Sequence, residues 1–179
     1  MPRERRKPVD GVDRMAAAWL RERPRTDVAP MQVVTRLRWI TKLFDDDQRR
    51  VLGALGIDVA TRDLLSTLRR SGPPYRLTAG DIARYSWLTS GAVSQRLARA
   101  EQQGLVRRHR GVDDAREVVV ELTPAGHDAI ETTLDALLER ERHLLAGLTP
   151  QEQSRLAHLL RLLLVDLIDR TSARDWPTP

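Results

Sequence analysis

Residues 90–123 read SGAVSQRLARAEQQGLVRRHRGVDDAREVVVELT. Val93, Leu97 and Ala100 recur at helical spacing on one face, while Gly91, Gln95, Arg99 and Gln102 fall on the other. Gly104 stops the helix. Val106, and then Val118, Val120 and Leu122, alternate with polar neighbours in the period of a half-buried hairpin. The face opposite the apolar one joins a small residue, amides and a guanidinium. Glutamine pairs with adenine edges, arginine with guanine O6 and N7, and a small residue allows close approach, so this face suits the major groove. The hairpin carries Arg107, Arg108, Arg110 and Arg116 around a GVDD turn, and arginine at a hairpin tip can enter a minor groove. A solvated charged surface would explain the helix taken alone. Its neighbours favour the nucleic-acid reading: Thr78 caps a short helix, Ala79 to Ser86, which leads through WLT to a second cap at Thr89 or Ser90. Helix, turn, helix and basic wing occur in order.

Outward from that stretch the chain is helical. A first helix covers about Val12 to Glu22 and stops before Pro24; a second starts after Pro30 and runs towards Leu55, with Gly56 ending it. A third spans Val59 to Arg70 and is closed by SGPP. Thr123 and Pro124 launch a sixth helix, and LTPQEQ restarts a seventh with Gln153 in capping-box register to Thr149. Leu156, Leu159, Leu160, Leu163 and Leu167 form the apolar stripe of that last helix, while Leu162 and Leu164 lie off it. So much leucine needs a second covering surface, and a partner subunit is the simplest supplier; burial within one subunit is the alternative. The expected fold class is mainly α with a small β-hairpin wing, a winged helix-turn-helix plus a helical dimerisation region.

Composition narrows the function. Hydrophobic residues at 41% and charged residues at 31% predict a folded, soluble chain. Cysteine is absent, which excludes disulfides, cysteine nucleophiles and thiolate metal sites. His109, His127, His143 and His158 have no metal-ligand spacing, so no metal or cofactor is expected. No apolar run approaches a membrane span, and no apolar segment follows the basic start, so the expected location is the cytoplasm. No phosphate loop, nucleophile–base signature or spaced carboxylate pair appears, and the chain is not expected to be an enzyme. Asp45, Asp46 and Asp47 form an acidic cluster whose members point apart on a helix and are expected to be solvated. Between Arg84 and Arg116 seven arginines face three acids, which places four of the five excess positive charges in the suspected DNA-binding segment.

LT…DIA, S-x-x-x-V-S-x-R-L-x-R-x-E-x-x-G-L-V-x-R, the Asp114-x-Arg116 wing pair and V-x-L-T-x-x-G from Val120 to Gly126 resemble the core of the MarR family of bacterial transcriptional regulators. The resemblance runs from about residue 31 through LTPQEQSRLAHLLRLLL. One position departs from the family pattern: Ala115 stands where the wing usually has a middle arginine. The resemblance implies a homodimer with interdigitated terminal helices, a palindromic double-stranded operator, and release by a small ligand. The expected DNA-contacting residues are Ser90, Gly91, Ser94, Gln95, Arg99, Arg110, Asp114 and Arg116.

Further segments, AAAWLRERP, PMQVVTRL and RDLLSTLRRSGPPYRLT, are similar to the urate-responsive branch of that family, which has an extra N-terminal helix. That similarity implies a ligand site at Trp19, Asp63, Arg96 and Arg108. The wheel puts Arg96 beside the buried face of its helix, and Asp63 beside Leu64, Leu65 and Leu68. A ring and two guanidiniums suit a flat anion such as urate, a related purine or an organic acid; an ion pair between Asp63 and Arg96 that merely locks the domain is the alternative. The organisation expected is a flexible basic tail at 1–11, N-terminal helices at 12–56, the DNA-binding domain at 57–123, dimerisation helices at 124–170 and a tail at 171–179. The functional expectation is a ligand-responsive repressor; an architectural DNA-binding protein without an effector is the competing one.

Overall fold

The computed structural model describes residues 9–86, 89–111 and 117–173. The chain divides into two compact units, residues 1–50 and 51–179.

In the first unit, α1 spans Gly11–Glu22. Asp10 is its N-cap and accepts from the Val12 and Asp13 amides, while the Asp13 carboxylate returns a bond to the Asp10 amide, closing a capping box. The long helix α2 spans Ala29–Ala54, opening one residue before the proline taken as its signal. Arg36 on α2 ties the two helices: Nε donates to Asp10 at 2.7 Å and Nη2 to Asp13 at 2.8 Å. The Arg36 side chain thereby holds the Asp10 carboxyl at about 2, and the Asp10 amide, with Arg36 adding to it, holds Asp13 below its ordinary value. The acidic cluster is not uniformly solvated. Asp46 pairs with Lys42 and Arg49, but Asp47 is buried and paired with Arg50.

The second unit contains α3 (Val59–Arg70), β1 (Arg76–Thr78), α4 (Ala79–Ser86), α5 (Ser90–Gln102), β2 (Val106–Arg110), β3 (Val118–Leu122), α6 (Pro124–Leu144) and α7 (Pro150–Thr171). The sheet has three strands in the order β1-β3-β2, all antiparallel, where the sequence predicts two. The added strand pairs Arg76 with Glu121 and Thr78 with Val119, and an Arg76–Glu121 ion pair of 3.1 Å reinforces it. One core joins Leu64, Leu65 and Leu68 of α3, Ile82 of α4, Val93, Leu97 and Ala100 of α5, Val106, Val120 and Leu122 of the sheet, and Ile130 of α6. Thr149 caps α7 as expected, but its capping-box partner is Glu152; Pro150 occupies the first helical position, so the third is residue 152. Gln153 instead donates to the Leu145 and Leu148 carbonyls at 3.2 and 3.1 Å. No residue of α7 is buried within the chain. Among the described residues no helix is long and apolar enough to cross a membrane.

Candidate nucleic-acid interface

α4 and α5 stand in helix-turn-helix order, with β2 and β3 following as the wing. Thr78 Oγ1 accepts the Asp81 amide at 3.0 Å at the start of α4, and Thr89 Oγ1 accepts the Ala92 amide at the start of α5. Gly104 takes φ +71 just beyond α5, a left-handed turn that glycine makes without a Cβ penalty, and its neighbour Leu105 returns an amide bond to Ala100. The inward face is set by Val93 and Leu97, each 2% exposed, and Ala100 at 0%. Gly91, Ser94, Gln95, Arg99 and Gln102 are consequently exposed together, and no atom lies within 4 Å of the point a Gly91 side chain would occupy. Ser90 is the first residue of the helix. Arg110 is exposed at the end of β2, opposite Val118, and the Gly111 amide reaches the Glu117 carbonyl at 2.9 Å. Asp114, Ala115 and Arg116 lie outside the described residues.

Two ion pairs bind α5 to its surroundings, and the sequence reading missed the acid of each. Arg99 Nη1 donates to Asp58 Oδ2 at 2.5 Å, and Asp58 is the N-cap of α3, where its other oxygen accepts the Thr61 amide at 2.7 Å. The Thr61 amide, with Arg99 adding to it, holds the Asp58 carboxyl below its ordinary value. From the same last turn of α5, Glu101 accepts from Arg108 of β2, through Nε at 2.7 Å, Nη2, and the backbone amide at 3.2 Å. That Arg108 side chain lowers the Glu101 carboxyl likewise. The Asp58 position was visible only as a residue before a helix start, and Arg99 is 41 residues away, so local pattern could not join them.

The residues expected to form the ligand site are placed as follows. Asp63, on α3, pairs with its neighbour Arg62 at 3.2 Å, and the alternative of a locking pair between Asp63 and Arg96 is not seen. Arg96 is half-buried and lines a small cavity of about 280 Å³ with Asp58, Thr61, Ala92, Gln95 and Arg99. Among the described residues no hydrogen bond or ion pair joins Asp63, Arg96 and Arg108 to one another. Trp19 belongs to the first unit; it is exposed on α1 and does not line the groove of about 610 Å³ that Met15, Trp39 and Ile40 help form there.

A family model described as MarR family matches residues 55–117, a span that holds α3, β1, the helix-turn-helix and the first wing strand, β2. The HTH-type transcriptional regulator PecS of Dickeya dadantii (strain 3937) is 32% identical over 149 residues, covering 83% of this chain and 90% of the relative. The chain belongs to the MarR family. Two MarR-family structures share its fold. Sco3205 from Streptomyces coelicolor, solved in complex with DNA, is 28% identical with a TM-score of 0.65, covering 79% of this chain and 94% of that one. Wild-type MarR from E. coli in its apo form is 25% identical with a TM-score of 0.64, covering 73% and 96%. The protein is thus a winged-helix, DNA-binding transcriptional regulator.

Proposed function

We propose that this MarR-family regulator is a repressor that binds a palindromic operator as a homodimer and leaves it when a small planar anion binds. The exposed row of Gly91, Gln95 and Arg99 on a capped, core-anchored helix carries the reading. A solvated surface needs no such order, whereas base reading needs polar groups held in register by a buried opposite face. The dimer is supported by α7, on which Leu156, Leu159, Leu160, Leu162, Leu164, Val165 and Leu167 are between 39% and 55% exposed. So much exposed apolar surface is covered in a stable soluble protein, and a second copy of the same helix covers it isologously. Two-fold symmetry in the protein then implies two-fold symmetry in the site, with an α5 helix entering each half.

For the effector, the urate-type assignment rests on resemblance at Trp19, Asp63, Arg96 and Arg108. Its structural support is narrower: half-buried Arg96 faces a small cavity and has no ion-pair partner among the described residues. A guanidinium in that setting favours an anion through charge-assisted hydrogen bonds. Urate, related purines and organic acids are the class to be titrated against protein–DNA complexes of wild type, Arg96→Ala and Trp19→Ala. Both variants should fold and bind DNA yet lose release, by a coupling of about 5- to 150-fold in the wild type. An Arg96→Ala variant that responds as wild type does would move the effector site elsewhere. A wild type that binds every duplex equally and ignores all the anions would leave an architectural DNA-binding protein.

A further inference from the structure

The proposed groove face contains an acid that phosphate binding alone does not require. Asp58 divides its two oxygens between separate tasks: Oδ1 accepts the Thr61 amide and so caps α3, and Oδ2 accepts Nη1 of Arg99. Among the described residues the Arg99 guanidinium has no other partner, so its Nε and Nη2 edge stays available to a second acceptor. Asp58 is itself firmly placed, because α3 contributes Leu64, Leu65 and Leu68 to the core.

Two physical effects follow from a carboxylate at this position. An exposed arginine samples many rotamers and must surrender them to meet a base edge; one already held by a fixed oxygen has surrendered part of that freedom before DNA arrives. The same carboxylate also offsets the charge of Arg99 toward phosphates. That offset weakens binding to any duplex, whereas the orientation helps only where a matching base edge is presented. The orientation widens the gap between the correct sequence and a random one, and the offset lowers the sequence-independent level on which that gap stands.

We infer that Asp58 is a specificity-determining residue, which positions the Arg99 guanidinium for base reading and restrains its sequence-independent attraction to phosphate. This rests on the proposed reading of α5 as the base-reading helix.

Asp58→Asn separates the two tasks. Asparagine caps a helix about as well as aspartate, so the Thr61 amide keeps an acceptor, while the charged oxygen facing Arg99 is lost. Wild type, Asp58→Asn, Arg99→Ala and the double variant are measured across a salt series on two duplexes. One is selected by the wild-type protein from a randomised library, and the other is a scrambled duplex of equal composition. The ratio of selected to scrambled affinity should fall roughly 3- to 10-fold in Asp58→Asn, with scrambled binding tighter and its salt slope steeper by about one. In the Arg99→Ala background, Asp58→Asn should leave the ratio where it stands. An unchanged ratio in Asp58→Asn, with a wild type that discriminates, would reduce Asp58 to a helix cap. An equal fall without Arg99 would show that Asp58 does not act through it. A wild type that selects no sequence would overturn the base-reading proposal, and this inference with it.

Discussion

Replacing Gly126 by alanine adds one methyl group at a place where none fits. A Cβ there would lie 2.0 Å from the Leu105 carbonyl oxygen, 3.0 Å from its carbon and 3.2 Å from Leu122 Cδ2. Ordinary carbon–oxygen contact begins at about 3.3 Å, so backbone must move by more than an ångström. That carbonyl also accepts the Thr123 amide at 3.2 Å, so moving it disturbs the residue that caps α6. Overpacking costs about 1–3 kcal/mol and a weakened hydrogen bond about 0.5–1.5, against about 0.8–1.0 recovered from alanine's better helix propensity. The balance is roughly 0.5–4 kcal/mol of destabilisation, or a fall of about 1–15 °C in Tm for a chain of this size. Gly53 supplies the control. It lies in α2 with nothing within 4 Å, so Gly53→Ala should be neutral to stabilising by up to about 1 kcal/mol. Thermal unfolding of all three proteins by far-ultraviolet circular dichroism, at one protein concentration, gives the comparison. A Gly126→Ala protein that melts at or above wild type would refute the packing described for the α6 start and the β2 entrance.

Gln95→Ala and Arg99→Ala should each weaken binding to a selected duplex by about 1–3 kcal/mol with smaller losses on scrambled DNA, and equal losses on both would leave only phosphate contacts. Glu101→Gln removes a charge from beside Arg108 and should raise the apparent affinity of an anionic effector roughly 3-fold while costing under about 1 kcal/mol of stability, since the pair is more than a third exposed; a fall in effector affinity would show that Arg108 needs its carboxylate partner to bind. Asp10 and Asp13 have folded-state values below the ordinary 3.8, so their contribution is present above that pH and drains away as pH falls towards about 2. Amide exchange in α1 should follow that window in wild type, and Arg36→Met should shift the loss of protection to higher pH; coincident profiles would deny the three-residue clamp any role in holding α1. Sedimentation should find a dimer down to low protein concentrations, with Leu163→Asp unfolding the chain rather than yielding a folded monomer, and a well-folded wild-type monomer would remove the two-fold operator with it.

Local signals carried most of the architecture. The 3.6-residue spacing of Val93, Leu97 and Ala100, the cap at Thr89 and the left-handed stop at Gly104 are all short-range, and the structure places each as its chemistry dictates. β1 escaped for the opposite reason. Three residues cannot display a period of two, and the partner that makes Arg76–Thr78 a strand lies at Val119–Glu121. Periodicity also found an apolar face on α7 without saying what covers it, and within the chain nothing buries it. The charged contacts were hardest to foresee. Arg108 had a carboxylate seven residues away in Glu101, and Arg99 had Asp58 across the fold; helical wheels rank faces but do not pair ions between elements. Asp63 illustrates the same limit, because the wheel set it towards Arg96 and its ion pair is with the adjacent Arg62.

The double anchoring of α5 bears on how an effector can be read out. The last turn of the helix is held to the start of α3 through Arg99 and Asp58 and to the wing through Glu101 and Arg108, and its inner face is held to the core. Turning α5 alone would break both ion pairs of its last turn and unpack Val93 and Leu97, whereas moving it together with α3, β2 and β3 breaks none of these. In the proposed dimer the variable left for a ligand to adjust is therefore the separation of the two α5 helices, which must match roughly 34–36 Å between half-sites on the duplex. An effector would then act as a change of gauge, rejecting a site whose bases are all correct because its halves stand the wrong distance apart.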